Sequence, residues 1–251
     1  MDGILLFNKP ILWTSHDAVD FIRRRIGQRL VGHAGTLDPL ATGLLVILIG
    51  KATKLSQELS SSDKEYAGSL TLGIRTDTQD LEGKIISSGD FSNVSPQKVE
   101  AVFSKMTGVQ QQVPPRFSAV KKKGKSLYAW ARQGTVVEAD SRQITIPHLT
   151  MTEFLLPDIY FSMSCSKGTY VRSICDLIGE RLGCGAVLSS LARTRSGSFL
   201  LNEALNQKEI SEWSLDAIEK RLIRRPDEPR PSKTNNQKSA FEGRGESLQR
   251  I

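Results

Sequence analysis

The sequence predicts a globular domain in which strands and helices mix, followed by a polar tail, and three observations carry that prediction. Apolar residues alternate over 64–73, as a half-buried strand requires, and three further strand-length runs follow one another at 143–147, 150–156 and 159–165. Helical spacing of apolar positions recurs near 15–26, 96–106 and 170–182. The 251 residues are 39% hydrophobic and 24% charged, ordinary globular usage that excludes wholesale disorder and allows a sizeable core.

Gly3 to Asn8 forms a short apolar strand ended by Lys9-Pro10. Thr14 or Ser15 caps a helix with Ala18, Val19, Ile22 and Ile26 on its apolar side, and Gly27 stops it. The glycine-rich stretch Gly32 to Gly43 leads directly into a buried strand over 44–49, and Lys51 to Leu59 continues as helix. In the strand over 64–73, Tyr66, Gly68, Leu70 and Leu72 share one face, before a polar, turn-rich connection from Arg75 to Gly83. Ser95-Pro96 opens the next helix, turning Val99, Val102, Phe103 and Met106 inward. Residues 110–145, with Pro114-Pro115, three consecutive lysines from Lys121 and a short helix over Leu127–Arg132, form a mobile basic excursion. After the three strands, Ser166 to Thr169 opens a helix ended by Gly183-Cys184-Gly185; a short helix over 186–192 and a strand near 195–200 complete the regular elements.

Thirty-four Lys and Arg against 27 Asp and Glu give a net charge of +7, a balance that favours a polyanionic partner such as nucleic acid. Residues 224–251 carry seven basic and four acidic side chains with a single aromatic, Phe241, and are predicted to be disordered. No run approaches the roughly 20 apolar residues of a membrane span, and the first residues lack a secretory pattern, so a cytoplasmic protein is expected. Cys165, Cys175 and Cys184 are spaced too widely for a zinc knuckle, and His16, His33 and His148 lie far apart; no metal site is expected.

Asp38 sits between a glycine-rich turn and a buried strand. Pro39 fixes the residue after it and biases Asp38 away from helix. Two readings fit this local pattern: an aspartate that merely shapes a turn, or a carboxylate held rigidly for chemistry.

The run GHAGTLDPLATGLL, residues 32–45, resembles the catalytic motif G-H-x-G-x-L-D-P-x-A-x-G of the TruB family of tRNA pseudouridine synthases, with every fixed position filled. The resemblance continues through Lys9-Pro10, Asp63 to Tyr66, Arg75 to Asp80 with Gly83, Pro115 to Lys121, Gly124 to Tyr128, Ala131 to Gly134, Cys165 to Arg172 and Leu182 to Ala186, in family order. It implies an α+β pseudouridine synthase fold, a mixed, mostly antiparallel sheet flanked by helices and loops. It implies isomerisation of uridine to pseudouridine at position 55 in the T loop of tRNA, by a monomer without cofactor. Breaking and remaking a glycosidic bond needs no redox change or phosphoryl transfer, and a carboxylate can act as covalent nucleophile toward base or sugar.

The resemblance places the nucleophile at Asp38, its ion-pair partner at Arg172 and the base-stacking residue at Tyr66. His33 matches a histidine that wedges into the T loop as the base is extracted, an event that costs stacking energy. Leu191 and Val171 fall where the family places apolar base-pocket residues, with core packing the competing role. Lys9 and Lys64 are candidate phosphate contacts, with solvated charge as the alternative. Two departures stand out. The family's opening D-K-P-x-G-x-S-S here reads Asn8 to Ser15 without the glycine, and the polar tail occupies the place of the usual C-terminal RNA-binding domain. Two competing functions are an RNA-binding or tRNA-folding module without catalysis, and a hydrolase pairing Asp38 with Asp77 or Asp80.

Overall fold

The structure is a computed structural model that describes residues 1–135, 137 and 139–224. Its elements, in order, are β1 (Gly3–Lys9), α1 (Ser15–Ile26), β2 (Val31–Ala34), β3 (Ala41–Ile49), α2 (Ser56–Ser60), β4 (Lys64–Leu72), β5 (Ile74–Thr76), β6 (Ile85–Ser88), α3 (Pro96–Met106), β7 (Gly108–Gln112), β8 (Lys121–Lys122), β9 (Lys125–Ser126), α4 (Leu127–Arg132), β10 (Arg142–Ile146), β11 (His148–Leu155), β12 (Asp158–Cys165), α5 (Val171–Leu182), β13 (Ala186–Ser196), β14 (Phe199–Leu200), α6 (Gln207–Glu212) and α7 (Leu215–Lys220). Eight strands form one sheet along the path β1-β3-β13-β4-β12-β11, with β2 beside β3 and β14 beside β13. All its pairs are antiparallel except β3 with β13. The expected mixed, mostly antiparallel sheet flanked by helices is therefore present.

Local signals place the helices as the sequence predicts. The Thr14 hydroxyl accepts from the Asp17 amide while Asp17 accepts from the Thr14 amide, a reciprocal cap, and Gly27 ends α1 in the left-handed region. Ser95 caps α3 with Pro96 in its first turn. Val19, Ile22, Val99, Phe103, Ile174 and Ile178 drive α1, α3 and α5 onto one face of the sheet, where they share a core with Leu5, Leu45, Leu70 and Phe161. On the opposite face of the β1–β3 end, Ile4, Leu6, Leu44, Val46 and Leu48 form a second, smaller core covered by residues 52–59 and 199–204.

Four segments differ from expectation. Residues 186–192 are not helix but the first part of β13, between β3 and β4 in the sheet. An irregularity between Leu188 and Ser190 in the pairing with β4 returns Leu191 to the core that Leu188 occupies. The resulting spacing of buried residues imitates a helical period. Residues 31–34, inside the glycine-rich stretch, pair with β3 as β2, and 51–59 divides into a 3-10 turn (Gly50–Leu55) and α2. After β14 the chain forms α6 and α7, two short helices that the sequence pattern does not predict. The excursion rises from a two-stranded base, β7 against β10, and includes the β8–β9 hairpin and α4. The expected tail falls, beyond Arg224, outside the described residues.

The β3–β13 contact is narrow. Ala41, Thr42 and Gly43 run parallel to Leu191, Ala192 and Arg193. A Cβ at Gly43 would stand 2.5 Å from the Arg193 carbonyl oxygen and 2.8 Å from its amide nitrogen, with Gly43 at φ +93°. Glycine is required there on both counts. Gly43→Ala is therefore expected to cost about 3 kcal/mol or more in urea unfolding, because backbone strain and a clash with main chain combine; a loss below about 0.5 kcal/mol would show that the strands part easily.

Candidate active site

Asp38 lies on the loop of the β2–β3 hairpin, and the chain on every side holds that loop. Arg193 Nη2 donates to the Gly35 carbonyl at 3.1 Å and Nη1 to that of Thr36 at 3.4 Å. The buried Ser15 hydroxyl donates to the Leu37 carbonyl at 3.1 Å and accepts from the Leu37 amide at 2.8 Å. The Asp38 carbonyl accepts from the Ala41 amide, and the Pro39 carbonyl from the Leu12 amide. Every carbonyl from Gly35 to Pro39 is thus occupied, while Leu37 buries its side chain beneath the loop. Loops anchored in this way are suited to carrying a reactive group.

The Asp38 carboxylate projects into a cavity of about 810 Å³ that is also lined by Tyr66, Asp80, Val171, Arg172, Leu191 and Arg193. Arg172 Nε is 2.9 Å from Asp38 Oδ2, an ion pair in which the arginine is buried and the aspartate side chain 40% exposed. Its N–H is not aligned as a hydrogen bond, so the contact is one of charge. The rest of the guanidinium is tied down: Nη1 donates to the Thr78 carbonyl at 3.0 Å and to Asp80 Oδ2 at 3.4 Å, and Nη2 to the Phe117 carbonyl at 3.1 Å. Arg172 occupies the first turn of α5, where the helix dipole disfavours a cation. Two carboxylates and two carbonyls offset that cost.

Asp80, which the sequence offers a role only in the hydrolase alternative, is the neighbour that meets the Arg172 guanidinium. It is buried, its Oδ1 accepts from the Thr78 hydroxyl at 2.5 Å and the Glu82 amide at 3.1 Å, and its carbonyl accepts from Thr76. The signal was present in Arg75 to Asp80, a polar run dense in turn-forming residues. The start of α5 is fixed from the other side by the buried Gln112 of β7, whose amide group donates to the Tyr170 carbonyl at 3.0 Å and accepts from its amide at 2.8 Å. The base of the excursion and the helix that carries Arg172 are therefore one assembly.

Tyr66, Leu191 and Val171 line the cavity from β4, β13 and α5. Burial pushes the Tyr66 phenol up, so the ring meets a ligand as a neutral phenol. His33 is on β2, outside the cavity lining, half-buried, with Nδ1 lacking a partner among the described residues. Burial, with Arg193 and His16 adding to it, lowers its pKa and keeps the ring neutral at pH 7.

The two lysines correct the expectation of phosphate contacts or solvated charges. Lys9 is fully buried and its ammonium donates to the carbonyls of Trp13 at 2.5 Å, Pro10 at 2.9 Å and Pro39 at 3.4 Å. Lys64 is buried on the cavity wall and donates to the carbonyls of Ser62 at 2.5 Å and Ser60 at 2.7 Å. Burial lowers both to about 8. Each ammonium is spent on main-chain carbonyls, and Lys9 secures the far limb of the Asp38 loop.

The excursion closes the cavity's outer side with Phe117, Ser118, Ala119, Lys121, Ser126 and Tyr128. Cations stack on aromatic rings along this rim: Arg132 over Tyr128 at 4.7 Å, Arg142 over Tyr170 at 4.8 Å and Lys125 over Trp130 at 4.9 Å. Such a rim suits a polyanion with exposed bases. Among the described residues no three His, Cys, Asp or Glu side chains are grouped to hold a metal ion, and no helix is long and apolar enough to cross a membrane.

A family model described as the N-terminal domain of TruB family pseudouridylate synthase matches residues 23–171, and one described as the tRNA pseudouridylate synthase B C-terminal domain matches 172–225. The tRNA pseudouridine synthase B of Opitutus terrae is 46% identical over 223 residues, covering 89% of this chain and 92% of its own. The enzyme of the same name from Syntrophotalea carbinolica is 50% identical over 210 residues, covering 84% of this chain and 69% of its own. Among solved structures, a chain of a Cbf5-Nop10-Gar1 complex superimposes with a TM-score of 0.68 at 29% identity, covering 87% of this chain. This chain spans 57% of that solved chain, a little over half its length. With matched models across 23–225 and curated relatives near half identity, the chain belongs to the TruB family of pseudouridylate synthases.

Proposed function

We propose that this chain isomerises uridine to pseudouridine at position 55 in the T loop of tRNA, with Asp38 as nucleophile, Arg172 as its ion-pair partner and Tyr66 as the surface on which the target base stacks. The observation that carries the reading is the Asp38–Arg172 contact of 2.9 Å inside a cavity also lined by Tyr66. The target nucleotide must leave its stack to reach Asp38, and the cavity's apolar wall, Val171 and Leu191, replaces part of what it loses. Asp38 forms a bond to the nucleoside as the C1′–N1 bond breaks, the uracil turns, C1′ joins C5, the bond to Asp38 breaks to return the free carboxylate, and the C5 proton leaves while N1 gains one. Arg172 lies against the carboxylate and aims it for the first of these steps. A neutral His33, outside the cavity on the same hairpin as Asp38, supplies a flat ring to fill the gap left in the RNA. The lysines and arginines of the rim take phosphates, a role that the buried Lys9 and Lys64 do not share.

The same reading treats residues 1–223 as one catalytic unit, since β13, beyond the boundary between the two family models, lies within the sheet between β3 and β4. It takes the enzyme to act as a cytoplasmic monomer.

Unmodified tRNA transcripts labelled with tritium at uridine C5 test the assignment. Label release is expected from the wild type, none from Asp38→Asn, and none from a transcript whose T-loop uridine is replaced. Release that survives Asp38→Asn would remove the nucleophile from Asp38, and binding of tRNA without release by the wild type would favour the non-catalytic RNA-binding alternative.

Arg172→Lys keeps the charge but surrenders the fork that reaches Thr78, Asp80 and Phe117. It is expected to slow release by about 10²-fold, with Asp80→Asn slowing it by about 10-fold, since each loosens the carboxylate's partner. Both rates come from single-turnover assays at saturating enzyme, and wild-type rates in both variants would show that the pair needs no such support.

A further inference from the structure

The chemistry above requires Asp38 and Tyr66 to meet one base together, yet one stands on the β2–β3 loop and the other within β4. Arg193 is the side chain that touches both settings. It lies on β13 with Gly43 opposite it on one side and Tyr66 opposite it on the other. The residue is 1% exposed, borders the cavity and passes beneath the Asp38 loop. Nε donates to the Leu44 carbonyl at 2.7 Å, Nη1 to Thr36 and Nη2 to Gly35, so one planar group grips both limbs of the hairpin at its root.

These hydrogen bonds all go to neutral carbonyls, an expensive setting for a buried cation. A neutral donor could satisfy one carbonyl without that cost. The rigid fork explains the choice in part, since three diverging carbonyls match its fixed N–H directions. The charge explains the remainder: burial pushes the Tyr66 phenol up, and Arg193 acts against that rise by charge and by hydrogen bonding.

We propose that Arg193 is a positioning residue for the isomerisation, holding the Asp38 loop and the Tyr66 phenol in one frame so that carboxylate and ring meet the extracted base together. The inference rests on the isomerase reading above.

The test compares the full chain with Arg193→Lys and Arg193→Gln, each with and without Tyr66→Phe. It measures single-turnover release of C5 tritium, tRNA Kd and thermal midpoint. Arg193→Lys is expected to bind tRNA within about threefold of wild type while reacting about 10²-fold more slowly, the usual consequence of a small displacement in a reacting pair. Adding Tyr66→Phe to Arg193→Lys is expected to slow the reaction far less than it slows the wild type, because the two side chains act as a unit. Three results overturn the proposal: a Lys variant within threefold of the wild-type rate, rate losses that simply multiply in the double variant, or loss of folding in both Lys and Gln variants, which assigns Arg193 to stability alone. Absence of release by the wild type would instead count against the isomerase reading, so the two failures are distinguishable.

Discussion

The parallel contact of Ala41–Gly43 with Leu191–Arg193 is only three residues long, yet it determines where the reactive loop can lie. β3 has β1 along one edge, and the other edge is shared between β2 at Val46–Ile49 and β13 at its start. At this divide the hairpin turns away from the sheet and lifts Asp38 over the cavity. The close approach at Gly43 brings β13 near enough for Arg193 to reach under the loop. Geometry at the carboxylate thus follows from a backbone contact that involves none of the reacting atoms.

The site is also unusual in its charge distribution. Lys9, Lys64, Arg172 and Arg193 are buried around the loop and cavity, where each cation would be costly if left bare. The structure meets that cost with carbonyls from loops and strand ends, and with Asp38 and Asp80 for Arg172 alone. Main-chain dipoles cannot be titrated away, which makes them durable partners for groups whose own pKa values fall toward neutrality, as those of Lys9 and Lys64 do. A rigid, positively biased floor beneath a half-exposed carboxylate is the electrostatic arrangement that an anionic, base-bearing ligand would favour.

How much of this was legible in the sequence depended on how local the cause was. Thr14, Gly27, Ser95 and Gly183 marked helix ends because caps are decided within a few residues. The motif around Asp38 stood out because glycines, proline and aspartate are unusual in that order. By contrast, β13 looked helical because a pairing irregularity with β4 altered its alternation, and that irregularity depends on a strand more than a hundred residues earlier. Lys9 resembled a surface charge in an Asn-Lys-Pro turn, since the Pro39 carbonyl that helps bury it lies thirty residues away. Asp80 stood in a family-like, turn-rich run and in the hydrolase alternative, but its contact with Arg172 was hidden because that partner lies across the fold. Local chemistry could be read along the chain; partnerships made by topology could not.

The carbonyl of Phe117 belongs to the excursion that forms the outer wall of the cavity, and it is also a hydrogen-bond partner of Arg172. One guanidinium therefore spans the arm that would clasp an incoming polynucleotide and the acid that would react with it. A shift of that arm changes the restraint on the acid's counter-ion directly, with no need for the sheet to flex, so grip and reactivity share a single mechanical link.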